Sequence, residues 1–414
     1  MATENKKYIP ALRFPEFQND KEWKTDAMET IFDIKNGYTP SKSNPSFWDN
    51  GTIPWFRMED IRKNGHILSD SIQHVTPAAV KNAGLFPAYS IIVATTATIG
   101  EHALIIVDSL ANQRFTFLTK RKSFDNKLDM TYFHYFMFII DEWCKRNTNA
   151  GGLLSVNMDS FKKLTIPYPS SLSEQKKIAD CFVSIDKEID ATKRKLELLK
   201  EHKKGLMQRL FPAKGKTTPE HRFPEFQNDG EWNYEHGDML YDSIVNKKHK
   251  SDLPILAITQ DNGAIPRDDI NYRVVVEDKS IEGYKVVEVG DFIISLRSFQ
   301  GGIEYSRYKG LCSPAYIVLR KRHSKICDDF YRHYFKSFQY IQELNRNLEG
   351  IRDGKMVSYK QFTDIKLPYP SYEEQCKIAK VLSSIDDVIQ THIEKISALE
   401  LHKNGLMQQL FPKL

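Results

Sequence analysis

The apolar residues of two stretches fall on one narrow stripe. The first carries Ile178, Phe182, Ile185, Ile189, Leu196, Leu199, Leu206 and Leu210, and the second Ile378, Leu382, Ile385, Ile389, Ile396, Leu399, Leu406 and Leu410. Steps of four and three, flanked by Lys, Arg and Glu, predict two long helices with a coiled-coil seam. Each is about 50 Å long at about 1.5 Å per residue. Ser171-x-x-Glu174 and Ser371-x-x-Glu374 have the spacing of a capping box at the start, and Pro212 and Pro412 stand at the end. Gly205 and Gly405 each cost about 1 kcal/mol inside a helix, so an earlier end at that level is an alternative.

The interruptions of the stripe choose a direction of packing. Thr192 and His392 break it at one level, Lys203 and Lys403 at another. Parallel helices in register set Lys203 against Lys403. Antiparallel helices pair residues whose numbers sum to about 588, so Leu196 meets His392 and Ile396 meets Thr192. Lys203 then lies beside Ile385 with its ammonium directed outward. Antiparallel packing is expected.

The helices belong to a longer repeat. Arg13-Phe14-Pro15-Glu16-Phe17-Gln18-Asn19-Asp20 returns as Arg222-Phe223-Pro224-Glu225-Phe226-Gln227-Asn228-Asp229, and Trp23 as Trp232. Two tandem halves follow, each with a lead-in motif, a body and a long helix, and a pseudo-twofold molecule is the expectation. Within the bodies, Ile91–Ala94 matches Phe292–Ser295 and Phe115–Leu118 matches Tyr316–Leu319, both as strands. Met130–Cys144 and Phe330–Leu348 read as helical. The predicted fold is α+β: two α/β domains in tandem, joined by two long helices packed as an antiparallel coiled coil. The segments are 1–169 (lead-in motif and first body), 170–212 (first helix), 213–221 (linker), 222–370 (lead-in motif and second body) and 371–414 (second helix).

At 414 residues the chain has room for two to four domains. A net charge of +5 is compatible with nucleic acid without requiring it. Five scattered cysteines without C-x-x-C spacing indicate neither a disulfide framework nor zinc, and fit a reducing compartment. No apolar signal core opens the chain and no run approaches a membrane span, so a cytoplasmic protein is expected.

The sequence contains no phosphate loop, no G-x-G-x-x-G, no H-E-x-x-H and no deaminase signature. Asn44-Pro45-Ser46-Phe47 is similar to the adenine-holding motif of amino-methyltransferases, but lacks its second proline and a glycine-rich cofactor loop. No catalytic residue and no metal ligand is assigned. What differs between the bodies is their polar loops, whose Arg, Lys, Asn, Gln, Ser and Thr are the side chains that bond base edges and phosphates. The candidate DNA-binding residues of the first body are Tyr38, Ser41, Lys42, Arg57, Arg62, Lys63, Thr95, Thr96, Thr98, Gln113 and Arg114. Those of the second are Lys247, Lys248, Lys250, Gln260, Asn262, Arg267, Arg297, Ser298, Gln300 and Arg352.

The chain resembles, along essentially its whole length, the specificity subunits of type I restriction-modification systems. The resemblance rests on Ile53-Pro54-Trp55, on Gly151-Gly152-Leu153-Leu154-Ser155 leading into Phe161-Lys162-Lys163-Leu164, and on Pro167-x-Pro169 with Glu174-Gln175-x-x-Ile178-Ala179. The last group returns as Pro368-x-Pro370 with Glu374-Gln375-x-x-Ile378-Ala379, whereas the second body lacks Ile-Pro-Trp and Gly-x-Thr-Pro. The resemblance implies that each body is a target-recognition domain for one half of a bipartite, asymmetric DNA site, with the helices as a ruler for the gap. It also implies a non-catalytic subunit that binds no cofactor itself. Its partners would be double-stranded DNA, two modification subunits that use S-adenosylmethionine, and two restriction subunits that use ATP and magnesium. A methylation-only or phage-defence complex, a self-contained methyltransferase and a protein-only coiled-coil adaptor are the alternatives.

Overall fold

The computed structural model describes residues 8–81, 84–149, 154–250, 252–269, 278–346 and 357–414. Arg352 and Gly151–Leu153 of the sequence reading lie outside them. The chain divides into two compact units, residues 1–191 with 395–414, and residues 192–394. This division cuts through both long helices, which span Leu172–Leu210 and Tyr372–Leu410. Both run through Gly205 and Gly405, where nothing packs against the missing side chain. The helices therefore do not end early.

In unit one, the first body packs on the start of the first helix and the end of the second. Its core gathers Ile178, Ala179 and Phe182 with Met407, Leu410 and Phe411, around Tyr132, Tyr135 and Phe136. Lys403 bonds Asp186 at 2.6 Å, so the two segments run antiparallel. In unit two, Leu210 and Phe211 join Ile378, Ala379 and Leu382 around Phe330, Tyr331 and Phe335. There Lys203 pairs with Asp386, again antiparallel. The expectation that the Lys203 ammonium points free of the seam is corrected: it is held by a carboxylate one residue beyond Ile385.

The stripe forms as the pattern requires. Ile178, Phe182, Ile189, Leu196, Ile378 and Leu382 are buried. Ile185, Leu199, Leu206, Ile385, Ile389, Ile396, Leu399 and Leu406 are half-buried, which suits two helices facing one another with water on their flanks.

The start of each long helix departs from the capping-box expectation. The Ser371 hydroxyl accepts from the Glu374 N–H at 3.3 Å, and that of Ser171 from the Ser173 N–H at 3.2 Å. The carboxylates do not return to the cap. Glu174 is buried and takes the Arg13 guanidinium on both oxygens, at 2.7 Å each. Glu374 takes Arg222 the same way, at 2.8 Å each. The next residues are equally committed. Gln175 accepts from the Asp129 N–H at 2.8 Å and donates to the Lys127 and Pro169 carbonyls, while Gln375 accepts from the Cys327 N–H at 3.0 Å. The buried Glu-Gln pair thus ties lead-in motif, body and helix together. Lys24–Ala27 pairs antiparallel with Thr165–Tyr168, and Asn233–His236 with Lys366–Tyr369, closing each body onto its helix.

Each body has one main sheet, accompanied by smaller sheets of two or three strands. In the first the strand order is Phe32–Asn36, Phe115–Lys120, Ser90–Ala94, His102–Ile105 and Ile67–Leu68. In the second it is Tyr241–Ile244, Ile317–Lys321, Phe292–Ile294 and Glu304–Tyr305, the same order without the fifth strand. Alternate residues of the central strand serve two cores: Ile91 and Val93 face the helical side, Ile92 and Ala94 the other. Met130–Arg146 forms one helix as expected. The matching segment of the second body does not. It splits into Asp328–Tyr334 and Phe338–Arg346, with Ser337 capping the second piece through the Tyr340 N–H at 3.3 Å. The break lets the Phe335 carbonyl approach Gly302, where a Cβ would stand 2.0 Å from that oxygen.

Candidate nucleic-acid interface

The polar loops of the first body meet along one rim. Gly37 N–H and Tyr38 N–H donate to the Phe115 and Ala111 carbonyls at 2.9 and 2.8 Å, which lays residues 37–42 beside residues 111–115. A Cβ on Gly37 would stand 2.4 Å from the Ala111 oxygen, so only glycine permits this approach. The Thr39 hydroxyl bonds Gln113, and the Thr95 N–H donates to the Arg114 carbonyl at 3.2 Å, joining loop 95–100 to the same rim. Trp55 is its buried floor. Its indole N–H donates to the Tyr38 carbonyl at 3.0 Å, Trp48 packs edge-on at 5.0 Å, and Lys42 and Arg57 lie 6.0 and 5.9 Å from its ring.

Ser41, Lys42, Gln113 and Arg114 are exposed on this rim, while Arg57, Thr96 and Thr98 are half-buried. Ala97, between the two threonines, has φ +65°, a conformation that non-glycine residues adopt at a cost, and its N–H reaches the Leu154 carbonyl at 3.3 Å. Two of the sequence candidates prove internal. Thr95 is buried, its hydroxyl bonded to that of Thr116 at 3.1 Å. Tyr38 is half-buried: its hydroxyl donates to the Ala79 carbonyl and accepts from the Lys81 N–H, each at 3.0 Å. Both build the rim rather than face solvent. Arg62 and Lys63 are exposed in the last turn of helix Met58–Asn64, and no described bond joins them to the rim.

In the second body Gln260 and Asn262 occupy the turn between Leu256–Thr259 and Gly263–Pro266. Arg297 and Gln300 lie on and beside the one-turn helix Ser298–Gly301. All four are exposed, and the Gln260 amide donates to the Arg297 carbonyl at 3.4 Å. Ser298 is corrected as a DNA contact: it is 1% exposed, and its hydroxyl accepts from the Ser295 N–H at 2.8 Å. Arg267 is half-buried with its backbone N–H on the Ile255 carbonyl. Lys247, Lys248 and Lys250 are exposed on a separate segment, fastened by the Val286 N–H to the Asn246 carbonyl at 2.7 Å.

Beneath the Gln260–Arg297 cluster lies an ion pair that no sequence signal marks. Lys336 bonds Glu304, the buried residue of the edge strand, and also reaches the Gln260 and Gly301 carbonyls. Burial pushes the Glu304 carboxyl up to about 7, against the pull of the Lys336 ammonium. The first body has a different fastening at this level. His102 sets one ring nitrogen 2.8 Å from Asp141 and the other 3.1 Å from the His134 carbonyl, and Gly100 stands against the Asp141 backbone. Among the described residues there is no group of His, Cys, Asp and Glu able to hold a metal ion, and no helix is long and apolar enough to cross a membrane.

Comparison with known proteins gives this arrangement a family. The profile of the type I restriction modification DNA specificity domain matches twice, over residues 20–201 and 210–401. The chain is 49% identical over 152 residues to the type I restriction enzyme EcoprrI specificity subunit of Escherichia coli, covering 37% of this chain and 38% of that protein. It is 28% identical over 296 residues to the putative type I restriction enzyme MjaX specificity subunit of Methanocaldococcus jannaschii, covering 67% of each. Its fold is similar to the crystal structure of the type I restriction-modification S subunit from M. genitalium, with a TM-score of 0.60 at 16% identity over 98% of this chain and 99% of that one. The doubled match spans most of the chain, and each copy takes in one body with most of a long helix: this protein belongs to the type I restriction-modification specificity subunits and carries two copies of their DNA specificity domain.

Proposed function

We propose that the two bodies read the two halves of a bipartite, asymmetric DNA sequence, and that the long helices set the gap between the halves. One observation carries this reading: the same sheet order underlies two rims whose polar side chains differ almost completely. A shared frame with unlike hydrogen-bonding surfaces suits recognition of two unlike base sequences. In the first body the rim of Ser41, Lys42, Arg57, Thr96, Thr98, Gln113 and Arg114 reads bases and holds phosphates. In the second, Gln260, Asn262, Arg297 and Gln300 do so, with Lys247, Lys248 and Lys250 on the backbone.

The chain is non-catalytic and binds no cofactor. It assembles with two modification subunits, which take the target adenine out of the stack and methylate it from S-adenosylmethionine. Two restriction subunits using ATP and magnesium complete the assembly, which works in the cytoplasm of a bacterium or archaeon. Segments 1–169 and 222–370 are the reading units, 170–212 and 371–414 the spacers, and 213–221 the link. The purified chain, incubated alone with DNA and labelled S-adenosylmethionine, transfers no methyl group, whereas addition of the modification subunits gives adenine methylation within one gapped sequence. Transfer by the chain alone contradicts the division of labour. Deleting one heptad from each helix removes about 10 Å of rod. It changes the preferred gap or abolishes binding, and an unchanged gap at full affinity contradicts the ruler.

A further inference from the structure

We propose that Lys336 is a positioning residue for the second half-site: it fixes the spacing of the two base-facing segments of the second body, residues 260–262 and 297–300. The inference rests on the reading of those segments as the recognition surface. An ammonium has three N–H donors. Lys336 spends all three on one tripod, to the Gln260 carbonyl at 3.1 Å, the Gly301 carbonyl at 2.9 Å and the Glu304 carboxylate. The first acceptor lies in one recognition segment, and the second is the residue that directly follows the other. The third belongs to the edge strand Glu304–Tyr305 below them, and Glu304 is 2% exposed.

Among the described residues no other side chain bonds the backbone of both segments, although the base of the 260–262 turn is also held, by the bridge of Ala264 with Ser306. The two segments also meet through the Gln260 side chain, which packs against Gly301 and donates its amide to the Arg297 carbonyl in a long bond at 3.4 Å. Asn345 holds only the second segment, donating to the Phe299 carbonyl at 2.7 Å. The break in the helical layer at residues 335–337 is what brings Lys336 into place. Gly302, with φ +83° and its Cα against the Phe335 carbonyl, brings the second segment down to it. A base-reading side chain displaced by an ångström loses its bidentate bond, so the tripod governs preference rather than charge. Lys336 itself is committed to internal acceptors and contributes no phosphate contact.

The test uses the full chain assembled with its modification subunits. The probes are duplexes carrying the sequence this assembly methylates, together with every single substitution in each half. The second half is the one that persists when residues 24–164 are exchanged for those of another family member. Lys336→Met combined with Glu304→Gln removes both charges and leaves no unpaired buried ion. Its discrimination in the second half falls about tenfold, the order of one lost base contact. Discrimination in the first half and the slope of affinity against salt stay unchanged. Lys336→Arg keeps the charge but cannot form the same tripod, and it relaxes the same positions. Unchanged second-half discrimination in both variants overturns the proposal. So does an equal loss of affinity for all sequences, which is the mark of a merely structural residue. A wild-type assembly with no sequence preference in the second half overturns the underlying reading of the recognition surface instead.

Discussion

Replacing Arg222 by Met tests how the lead-in motif is fastened to the long helix. The substitution removes two bonds of 2.8 Å from the buried Glu374 carboxylate. Among the described residues no other side chain donates to that carboxylate, and the nearby Trp232 indole N–H has no partner. A buried carboxylate stripped of its cation costs about 3–5 kcal/mol. The first half supplies the control. Arg13→Met strips Glu174 in the same way, but Trp23 still donates to it at 3.3 Å. One retained hydrogen bond to a charged group is worth about 1.5 kcal/mol. Arg222→Met therefore destabilises its unit by about 3–5 kcal/mol, and by about 1.5 kcal/mol more than Arg13→Met does in its own. Hydrogen exchange of the full chain resolves the two units, through the amides of residues 222–236 and 372–378 against those of 13–27 and 172–178. Arg222→Met with Glu374→Leu recovers most of the loss, because no ion is left buried. Effects below about 1 kcal/mol, or no difference between the halves, refute the reasoning.

His333 is buried, and desolvation together with Arg332, Lys203 and Arg307 pushes its pKa down to about 2. The unfolded chain takes up a proton below about pH 6.5 that the folded chain refuses, so this contribution to stability is present above that pH and is lost as pH falls. Urea titrations of the full chain at pH 7 and pH 5 show unit two weakening by up to about 1.4 kcal/mol per pH unit from this group, and His333→Gln flattens that slope. Gly302→Ala places a methyl group against the Phe335 carbonyl in a backbone conformation that favours glycine, and destabilises the second body by about 1–3 kcal/mol, measured by the same titrations. Lys42→Ala and Arg114→Ala in the first body each lower the slope of log affinity against log salt by up to about 0.9, the value of one phosphate contact, when binding is followed by fluorescence anisotropy.

The long helices were legible because a stripe kept over dozens of residues has no competing local explanation. The antiparallel packing was legible for a different reason: Lys203 and Lys403 disfavour the parallel register. The matched strands followed from the internal repeat. What stayed hidden was contact between residues distant in the chain. Ser171-x-x-Glu174 has the spacing of a capping box, and nothing local shows that Arg13 takes the carboxylate instead. Ser298 and Thr95 sit in polar loops, yet each turns its hydroxyl inward to satisfy a neighbour that burial would otherwise strand. The Phe330–Leu348 stretch reads as helical, and nothing local shows its break at residues 335–337, where the Phe335 carbonyl meets Gly302. Lys336 and Glu304 stand in no motif, and only the folded second body makes them partners.

Exchange of residues 24–164 for the body of another family member, followed by sequencing of methylated adenines in cells carrying the hybrid, tests the division of labour between the bodies most directly. One half of the methylated sequence changes to that of the donor, while the other half and the gap stay as they were. A change in both halves, or in neither, contradicts the account.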